Sequence, residues 1–257
     1  MNTLNGKTAM ITGATSGIGK ACALALAGEG CRVIITGRRT ARLEETGQEI
    51  EKKYNGEWLA VPMDVREKEN VLAAADGLPD NWKDIDILIN NAGLARGFSK
   101  MQDADTEDWD EMIDTNIKGL LNATQAVLPG MTARQKGDIV NLSSIAAHEV
   151  YPNGSIYCAT KHAVDAITKG LRIDLVDTPI RVSSIDPGLV ETEFSEVRFG
   201  DKERAKAVYE GMTPLTGEDI AELAVFIVSR PAHVQIANIV VLASDQAAAT
   251  IVHRRKR

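Results

Sequence analysis

The sequence has few cysteines, no signal-peptide pattern and no long apolar run, which argues against a secreted disulfide-rich protein and against a membrane protein. Cysteine occurs three times in 257 residues, an odd number and too few for a disulfide framework. We therefore expect reduced thiols and a cytoplasmic location. The first residues have no signal-peptide pattern. No apolar run approaches the roughly 20 residues that a membrane-spanning helix needs.

Two further absences narrow the class of function. The histidine, cysteine and acidic residues have no metal-ligand spacing, so we predict no catalytic metal. A net charge of −7 argues against generic nucleic-acid binding, which needs a basic face. The basic stretch at residues 253–257 is therefore interpreted as a solvated or subunit-bridging tail.

The chain does have a regular alternation of short apolar runs with segments of helical length. The runs are rich in β-branched residues without polar alternation, which is typical of strands buried on both faces of a parallel sheet. We predict one doubly wound (Rossmann) α/β domain over residues 1–257, with helices on both faces and strand order 3-2-1-4-5-6-7. The seven predicted strands are residues 8–12, 32–36, 58–62, 85–90, 138–143, 180–185 and 238–242.

One long segment, residues 187–215, interrupts the alternation between the sixth strand and the last helix. It contains several glycines and prolines and one short helical piece at residues 202–209. An insertion after the carboxyl end of a strand is where α/β proteins bind their ligands. We predict that this segment is a substrate-binding lid.

The first predicted strand runs into the sequence TGATSGIG at residues 12–19, and a helix follows. Such glycines permit a tight turn, a close approach of the backbone to a pyrophosphate and close packing of helix on strand. The helix N-terminus adds free N–H groups. A bare tight turn is the alternative. The predicted phosphate-binding residues are Gly13, Thr15, Ser16, Gly17, Ile18 and Gly19.

The end of the second strand indicates which nicotinamide cofactor binds. An NAD site usually has a carboxylate there for the ribose, whereas this chain has Arg38 and Arg39. Guanidinium groups suit a 2′-phosphate. The alternative is a solvated basic start to the next helix, but a helix N-terminus is a poor place for cations. We predict NADP.

Three more residues follow the third and fourth strands. Asp64, beside Val65, is placed either to accept a hydrogen bond from an adenine amino group or to cap the next helix. Asn91 lies in the turn at residues 90–93, whose composition allows hydrogen bonds to both backbone and ligand. We predict that all three line the cofactor site.

Tyr157 and Lys161 stand four residues apart in a segment predicted to be helical. Residues at i and i+4 share one helix face. An ammonium beside a phenol lowers the pKa of the phenol and so favours proton transfer near neutral pH. An amphipathic helix with a half-buried tyrosine is the alternative for this pair alone.

The motifs occur in an order that resembles the short-chain dehydrogenase/reductase family over nearly the whole chain. The resemblance is carried by residues 12–19 and 90–93, Asn116, Ser144, Tyr157, Lys161 and residues 187–188. The longer runs GRR (37–39), AVLP (126–129), GSIY (154–157), PGLVETEFS (187–195), VRF (197–199) and AHV (232–234) resemble the NADP-dependent 3-hydroxy acid dehydrogenases.

The resemblance implies a role for each matching residue. Tyr157 would be the general acid/base, and Lys161 would lower its pKa and bind the nicotinamide ribose. Ser144, favoured over Ser143 by the family's spacing, would hydrogen-bond the substrate oxygen. Asn116 would hold a water that links Lys161 to solvent. The remaining cofactor contacts would come from Pro187, Gly188, Val190 and Thr192, the last of these to the carboxamide.

The resemblance also implies an activity and an assembly. Enzymes of that group oxidise serine, L-allo-threonine and related 3-hydroxy acids or reduce semialdehydes. The family resemblance also implies a homotetramer. Because such a substrate carries a carboxylate, a cation is needed near it. Arg198 is the first candidate and Arg96 the second, although either could be a surface or subunit-contact residue. Two alternatives stay open, a reductase of diketones or aldehydes and a non-catalytic NADP-binding redox sensor.

Overall fold

In the computed structural model, which describes residues 4–255, seven strands form one parallel sheet. The strand order is 3-2-1-4-5-6-7, and every neighbouring pair is parallel. The predicted fold class and strand order are therefore confirmed. The strands are β1 (Thr8–Ile11), β2 (Arg32–Gly37), β3 (Trp58–Pro62), β4 (Ile85–Asn90), β5 (Asp138–Leu142), β6 (Arg181–Pro187) and β7 (Asn238–Val241).

The helices pack on both faces of this sheet. They are α1 (Gly17–Gly28), α2 (Thr40–Tyr54), α3 (Lys68–Asp76), α4 (Thr106–Ile113), α5 (Gly119–Arg134), α6 (Ser155–Asp174), α7 (Phe194–Phe199), α8 (Lys202–Ala207) and α9 (Gly217–Val228). Within residues 4–255, no helix is both long enough and apolar enough to cross a membrane.

The central strands are buried from both sides, which explains why most of their residues are apolar. Successive side chains of a strand point to opposite faces. Val33 and Ile35 of β2 accordingly pack in a cluster with α1, α2 and α9, whereas Ile34 packs in a second cluster with α5. All three side chains are fully buried. The few polar residues of the central strands, such as Asp138 and Asn141 of β5, are buried with hydrogen-bond partners.

The sequence pattern predicts one helix over residues 106–128, and here the structure differs most from the prediction. The predicted helix is divided into α4 and α5 by a π-helical turn, Asp114–Lys118, and α5 continues through Pro129 to Arg134. Proline disfavours the interior of a helix because it lacks an N–H group and its ring crowds the preceding turn. Val127 and Met131, buried on either side of it, hold the helix on the sheet and outweigh that loss.

The segment after β6 contains two short helices where the sequence predicted one. The predicted piece at residues 202–209 is shorter, as α8, and α7 precedes it. Gly200 separates the two helices with a positive φ of 62°, a conformation that glycine adopts without steric cost. This arrangement places α7 beside the carboxyl ends of the strands.

Candidate active site

The predicted residues lie around a single cavity of about 880 Å³ at the carboxyl ends of the strands. Gly19 and Asn116 are the two exceptions and support its wall from behind. The lining includes Gly13, Thr15, Ser16, Gly17, Ile18, Arg38, Arg39, Asp64, Val65, Asn91, Ser144, Tyr157, Lys161, Pro187, Gly188, Val190, Thr192 and Arg198. Residues from distant parts of the sequence therefore converge.

The glycine turn between β1 and α1 is shaped by close contacts. Gly13 and Gly17 have positive φ angles of 68° and 52°. A Cβ atom on Gly19 would lie 2.3 Å from Asn91 Nδ2 and 2.4 Å from the Gly13 carbonyl oxygen. Ser16 caps α1 without a side-chain hydrogen bond, so the first N–H groups of the helix are left for another acceptor. These features fit a bound phosphate group.

Two arginines flank this turn. Arg39 Nη2 donates to Thr15 Oγ1 at 2.7 Å and to Ser16 Oγ at 2.8 Å, and its Nη1 donates to Glu193 Oε2 at 2.8 Å. Arg38 Nη1 lies 4.0 Å from Glu111 Oε1. Both side chains are about half exposed and line the cavity. They present positive charge next to the predicted phosphate site.

Asp64 is not a helix cap, so one of its two predicted roles is wrong. The residue that caps α3 is Glu67. The Asp64 carboxylate instead accepts from Arg66, with Nη2 and Oδ2 2.6 Å apart, and this pairing lowers the pKa of Asp64. Its place on the cavity wall agrees with the adenine role, which stays a prediction.

Tyr157 and Lys161 are both buried, at 8% and 7% exposed. Lys161 Nζ donates to the Leu142 carbonyl oxygen at 2.9 Å and lies 5.9 Å from the centroid of the tyrosine ring. Burial lowers the pKa of Lys161 to about 8. The alternative of a half-buried tyrosine on an amphipathic helix does not describe this pair.

The protein environment raises the pKa of Tyr157, whereas the sequence predicted that a neighbouring lysine would lower it. Desolvation of the buried phenol is the largest cause, and the neighbouring Tyr151 adds to it. A hydrogen bond with Ser144 and the charge of Arg198 act in the opposite direction but do not outweigh burial. The protonated phenol is therefore the stable form.

Ser144 stands where it contacts both the tyrosine and the cavity. It caps a 3-10 turn, Ile145–Ala147, by accepting from the Ala146 N–H at 3.1 Å. Its hydroxyl also lies 3.4 Å from the Pro187 carbonyl oxygen, to which it donates. Ser143, the less favoured neighbour, is buried with its hydroxyl unpartnered among residues 4–255.

Asn116 lies in the π-helical turn and is fixed by the loop after β4. Its Oδ1 accepts from the Leu94 N–H at 2.9 Å, and its Nδ2 donates to the Leu94 carbonyl oxygen and to Thr160 Oγ1. A Cβ atom on Gly93 would be 3.2 Å from Asn116 Oδ1 and 3.7 Å from Lys161 Nζ. Both amide hydrogens are used, so a water held by this side chain would have to donate to its oxygen.

The two candidate cations have different surroundings. Arg96 is held by Glu111, with Nε and Oε2 2.6 Å apart, and donates to the Val197 carbonyl oxygen. Arg198 donates to Tyr151 Oη at 3.0 Å, and its Cζ lies 5.5 Å from the centroid of the Tyr157 ring. Within the described part of the chain, Arg198 has no carboxylate partner. Of these two candidates, Arg198 is therefore the one that no carboxylate of the described residues neutralises.

The base of the predicted lid faces the glycine turn. A Cβ atom on Gly17 would lie 3.1 Å from Thr192, and Thr192 Oγ1 accepts from the Phe194 N–H at 3.3 Å. A Cβ atom on Gly188 would lie 2.1 Å from Gln246 Oε1, which accepts from the Leu189 N–H. The loop after β6 is thus closely packed between the turn and the C-terminal segment.

Residues 253–255 of the basic tail are exposed, but Arg254 and Arg255 contact neighbouring segments. Arg254 donates to the Val208 and Glu210 carbonyl oxygens, and Arg255 pairs with Asp245 at 3.0 Å. The expectation of a simply solvated tail is therefore incomplete for these two arginines. Lys256 and Arg257 lie outside the described residues.

Several residues of the site had no signal in the sequence. Tyr151 and Phe98 lie against Arg198, with ring centroids 5.4 Å and 4.9 Å from its Cζ atom. Glu111 contacts the arginines that border the cavity, and no motif contains it. Scattered aromatic and acidic residues could have been found only from their proximity in space.

The comparisons with known proteins agree with this geometry. A model of the short chain dehydrogenase family matches residues 7–203. The NADP-dependent 3-hydroxy acid dehydrogenase of Schizosaccharomyces pombe is 45% identical over 258 residues, covering 100% of both chains. The serine 3-dehydrogenase of Rhizobium radiobacter is 43% identical over 240 residues, covering 93% of this chain and 94% of that protein.

A solved structure is similar as well. The closed form of serine dehydrogenase complexed with NADP+ superposes with a TM-score of 0.90 at 41% identity, covering 97% of this chain and 100% of that one.

The contacts of Gly19 lead to a prediction about the glycine turn. In Gly19→Ala the added methyl group would overlap the Gly13 carbonyl oxygen, so we expect the free energy of unfolding to fall by about 1–3 kcal/mol. Urea denaturation measures this change. Gly170→Ala is the matched control. Gly170 lies within α6, and a Cβ atom added there would meet no neighbouring side chain or distant backbone atom within 4 Å. It should gain about 0.5–1 kcal/mol, and equal losses in both variants would contradict the prediction.

Proposed function

Because the chain belongs to the short-chain dehydrogenase family, we propose that it is an NADP-dependent oxidoreductase acting on small 3-hydroxy acids. It transfers a hydride between NADP(H) and the 3-hydroxyl or 3-carbonyl group of substrates such as serine, L-allo-threonine or 3-hydroxypropionate. The observation that carries the proposal is the convergence of Tyr157, Lys161 and Ser144 on the cavity that the glycine turn and Arg39 also line.

The residues around the turn fit the cofactor. The open N–H groups of α1 suit the pyrophosphate, since no side chain caps them. Arg38 and Arg39 suit the 2′-phosphate, and Asp64 and Asn91 border the same wall. When bound, NADP supplies or accepts the hydride. The protein's part is to bind, to orient and to move a proton.

The proton is moved at Tyr157 Oη. For reduction, the raised pKa keeps the phenol protonated, so it can donate to the developing alkoxide oxygen. Ser144 donates a second hydrogen bond to the same substrate oxygen. For oxidation, the phenol must lose its proton, which nearby positive charge favours. The charge of Arg198 acts to lower the pKa of the phenol in this chain, and Lys161 Nζ lies 5.9 Å from the centroid of its ring.

The substrate carboxylate is assigned to Arg198. This guanidinium lines the cavity beside Tyr157 and lies against the rings of Tyr151 and Phe98, which limit its exposure to water. An arginine held by aromatic faces and lacking a carboxylate partner suits a carboxylate ligand. Arg96 is less suited because Glu111 already neutralises it.

Domain organisation and assembly complete the proposal. Residues 1–257 act as one domain, with residues 187–215 as its substrate lid. A homotetramer is supported by exposed apolar side chains on the long helices, including Leu121 of α5 and Ile173 of α6, and by Phe226 of α9. A cytoplasmic location is supported by the three cysteines, which are buried free thiols.

The activity is tested by following the absorbance of the reduced nicotinamide with a panel of 3-hydroxy acids, neutral alcohols, diketones and aldehydes. We expect the kcat/KM for 3-hydroxy acids to exceed that for neutral alcohols by about tenfold or more, since one charge-assisted contact distinguishes them. Tyr157→Phe should lose about 10²–10⁴-fold in kcat but keep its NADPH affinity.

Two outcomes would favour the two alternative functions. Faster turnover of neutral diketones or aldehydes would indicate a general carbonyl reductase. Tight NADPH binding without turnover of any substrate would indicate a redox sensor.

Cofactor selectivity should depend on the two arginines after β2. We expect Arg39→Ala to weaken NADPH binding by about 10–100-fold, through loss of charge-assisted hydrogen bonds, and to leave NADH binding nearly unchanged. Arg38→Ala should act in the same direction. Fluorescence titration of both cofactors measures the effect. Arg42→Ala is the control, since Arg42 does not line the cavity, although it pairs with Glu45 and shares Glu193 with Arg39.

Substrate selectivity should depend on Arg198. We expect Arg198→Ala to raise the KM for serine by about 10–100-fold, because the carboxylate loses its charged partner. The KM for a neutral alcohol of similar size should change by less than about threefold. Steady-state kinetics on both substrates, with the same enzyme preparation, measure the difference. An equal rise for the two substrates would exclude a carboxylate contact.

A further inference from the structure

A buried acidic residue lies directly beneath the site. Asp186, on β6, is 0% exposed and belongs to none of the motifs above. Its Oδ2 accepts from His148 Nε2 at 2.5 Å and from Asn238 Nδ2. Its Oδ1 has no hydrogen-bond partner among residues 4–255. A carboxylate oxygen left unpaired in the interior is costly and requires an explanation.

The sheet places this carboxylate next to the lysine's anchor. The β5–β6 register pairs Leu142 with Ile185, so Ser143 and Asp186 stand side by side one residue further along. Lys161 Nζ donates to the Leu142 carbonyl oxygen at 2.9 Å. The Ser143 hydroxyl is, like Asp186 Oδ1, buried and unpartnered within the described chain. Two unsatisfied oxygens therefore lie at the strand ends to which Lys161 is bound.

The groups that face Asp186 come from four elements. Lys161 approaches from α6, His148 from the residues after the 3-10 turn, Asn238 from β7 and Ser143 from the end of β5. Burial lowers the pKa of Lys161, and the negative charge of Asp186 raises it. The carboxylate thus opposes the effect of burial on the ammonium.

We propose that Asp186 is a positioning residue of the reaction centre, whose negative charge stabilises the Lys161 ammonium beneath Tyr157 from beyond ion-pair distance. His148 and Asn238 orient it by binding Oδ2, which directs Oδ1 toward the interior. His148 closes the cluster toward solvent, since its side chain is 33% exposed and that of Asp186 is 1% exposed. The catalytic consequence rests on the function proposed above for Lys161.

The test measures the charge state of Lys161 directly. The protein is labelled with ¹³Cε-lysine, and its NMR signals are followed against pH; the Lys161 signal is identified by its absence in Lys161→Arg. We expect a midpoint near the wild-type pKa of about 8. In Asp186→Asn it should fall by about one pH unit or more, because a nearby negative charge is lost from the interior. Asp186→Glu should recover part of the shift.

A matched control separates charge from packing. Asp138 is also a buried sheet carboxylate, on β5, and pairs with Arg181 at 2.6 Å. Asp138→Asn should reduce stability but leave the Lys161 midpoint unchanged. If Asp186→Asn does not fold, His148→Ala replaces it as the test, since it admits water to the carboxylate and should lower the midpoint by about half a unit.

The pH dependence of kcat for oxidation gives a second readout. The ammonium is lost as pH rises through the midpoint, so a lower midpoint moves this loss to lower pH. For Asp186→Asn we expect about tenfold loss of kcat at pH near 8 and less than about threefold at pH near 6.5. An unchanged NMR midpoint in a folded variant would overturn the proposal. A shifted midpoint with an inactive wild-type protein would overturn the proposed function alone.

Discussion

The site depends on a lysine ammonium that has been taken out of water. Lys161 is 7% exposed, and a strand-end carbonyl group, that of Leu142, accepts one of its hydrogens. A buried ammonium needs hydrogen-bond acceptors from the protein in place of water, and these acceptors fix its position. This bond ties α6 to the end of β5. The orientation of α6 in turn sets Tyr157 one turn earlier, facing the cavity.

Features encoded by neighbouring residues could be predicted from the sequence. The glycine turn needs particular backbone angles at Gly13 and Gly17, and the Tyr157–Lys161 pair needs only helical spacing. The strands were recognisable because burial on both faces makes most of their residues apolar and β-branched. Contacts such as Asp186 with His148 join residues 38 positions apart. No local pattern records such a pair, and it was found only in the fold.

Glu111 illustrates how such unpredicted contacts organise the cavity rim. Its carboxylate lies 2.6 Å from Arg96, 3.7 Å from Arg66 and 4.0 Å from Arg38. Arg96 also donates to the Val197 carbonyl oxygen in α7. One acidic side chain on α4 therefore joins the edge predicted to hold the cofactor phosphate to α7, the helix that carries Arg198. A shared carboxylate also limits mutual repulsion among the three guanidinium groups.

The π-helical turn Asp114–Lys118 bears on where this helix can gain or lose a residue. Such a turn amounts to one residue inserted into a regular α-helix. Because the widened turn absorbs that residue, α4 and α5 keep the faces that an uninterrupted helix would give them, and Glu111 stays beside its arginines. The loss of one residue elsewhere in α4 or α5, where no widened turn takes up the change, would rotate the two flanks relative to each other by about 100°. Changes in length are therefore best accommodated at the turn itself.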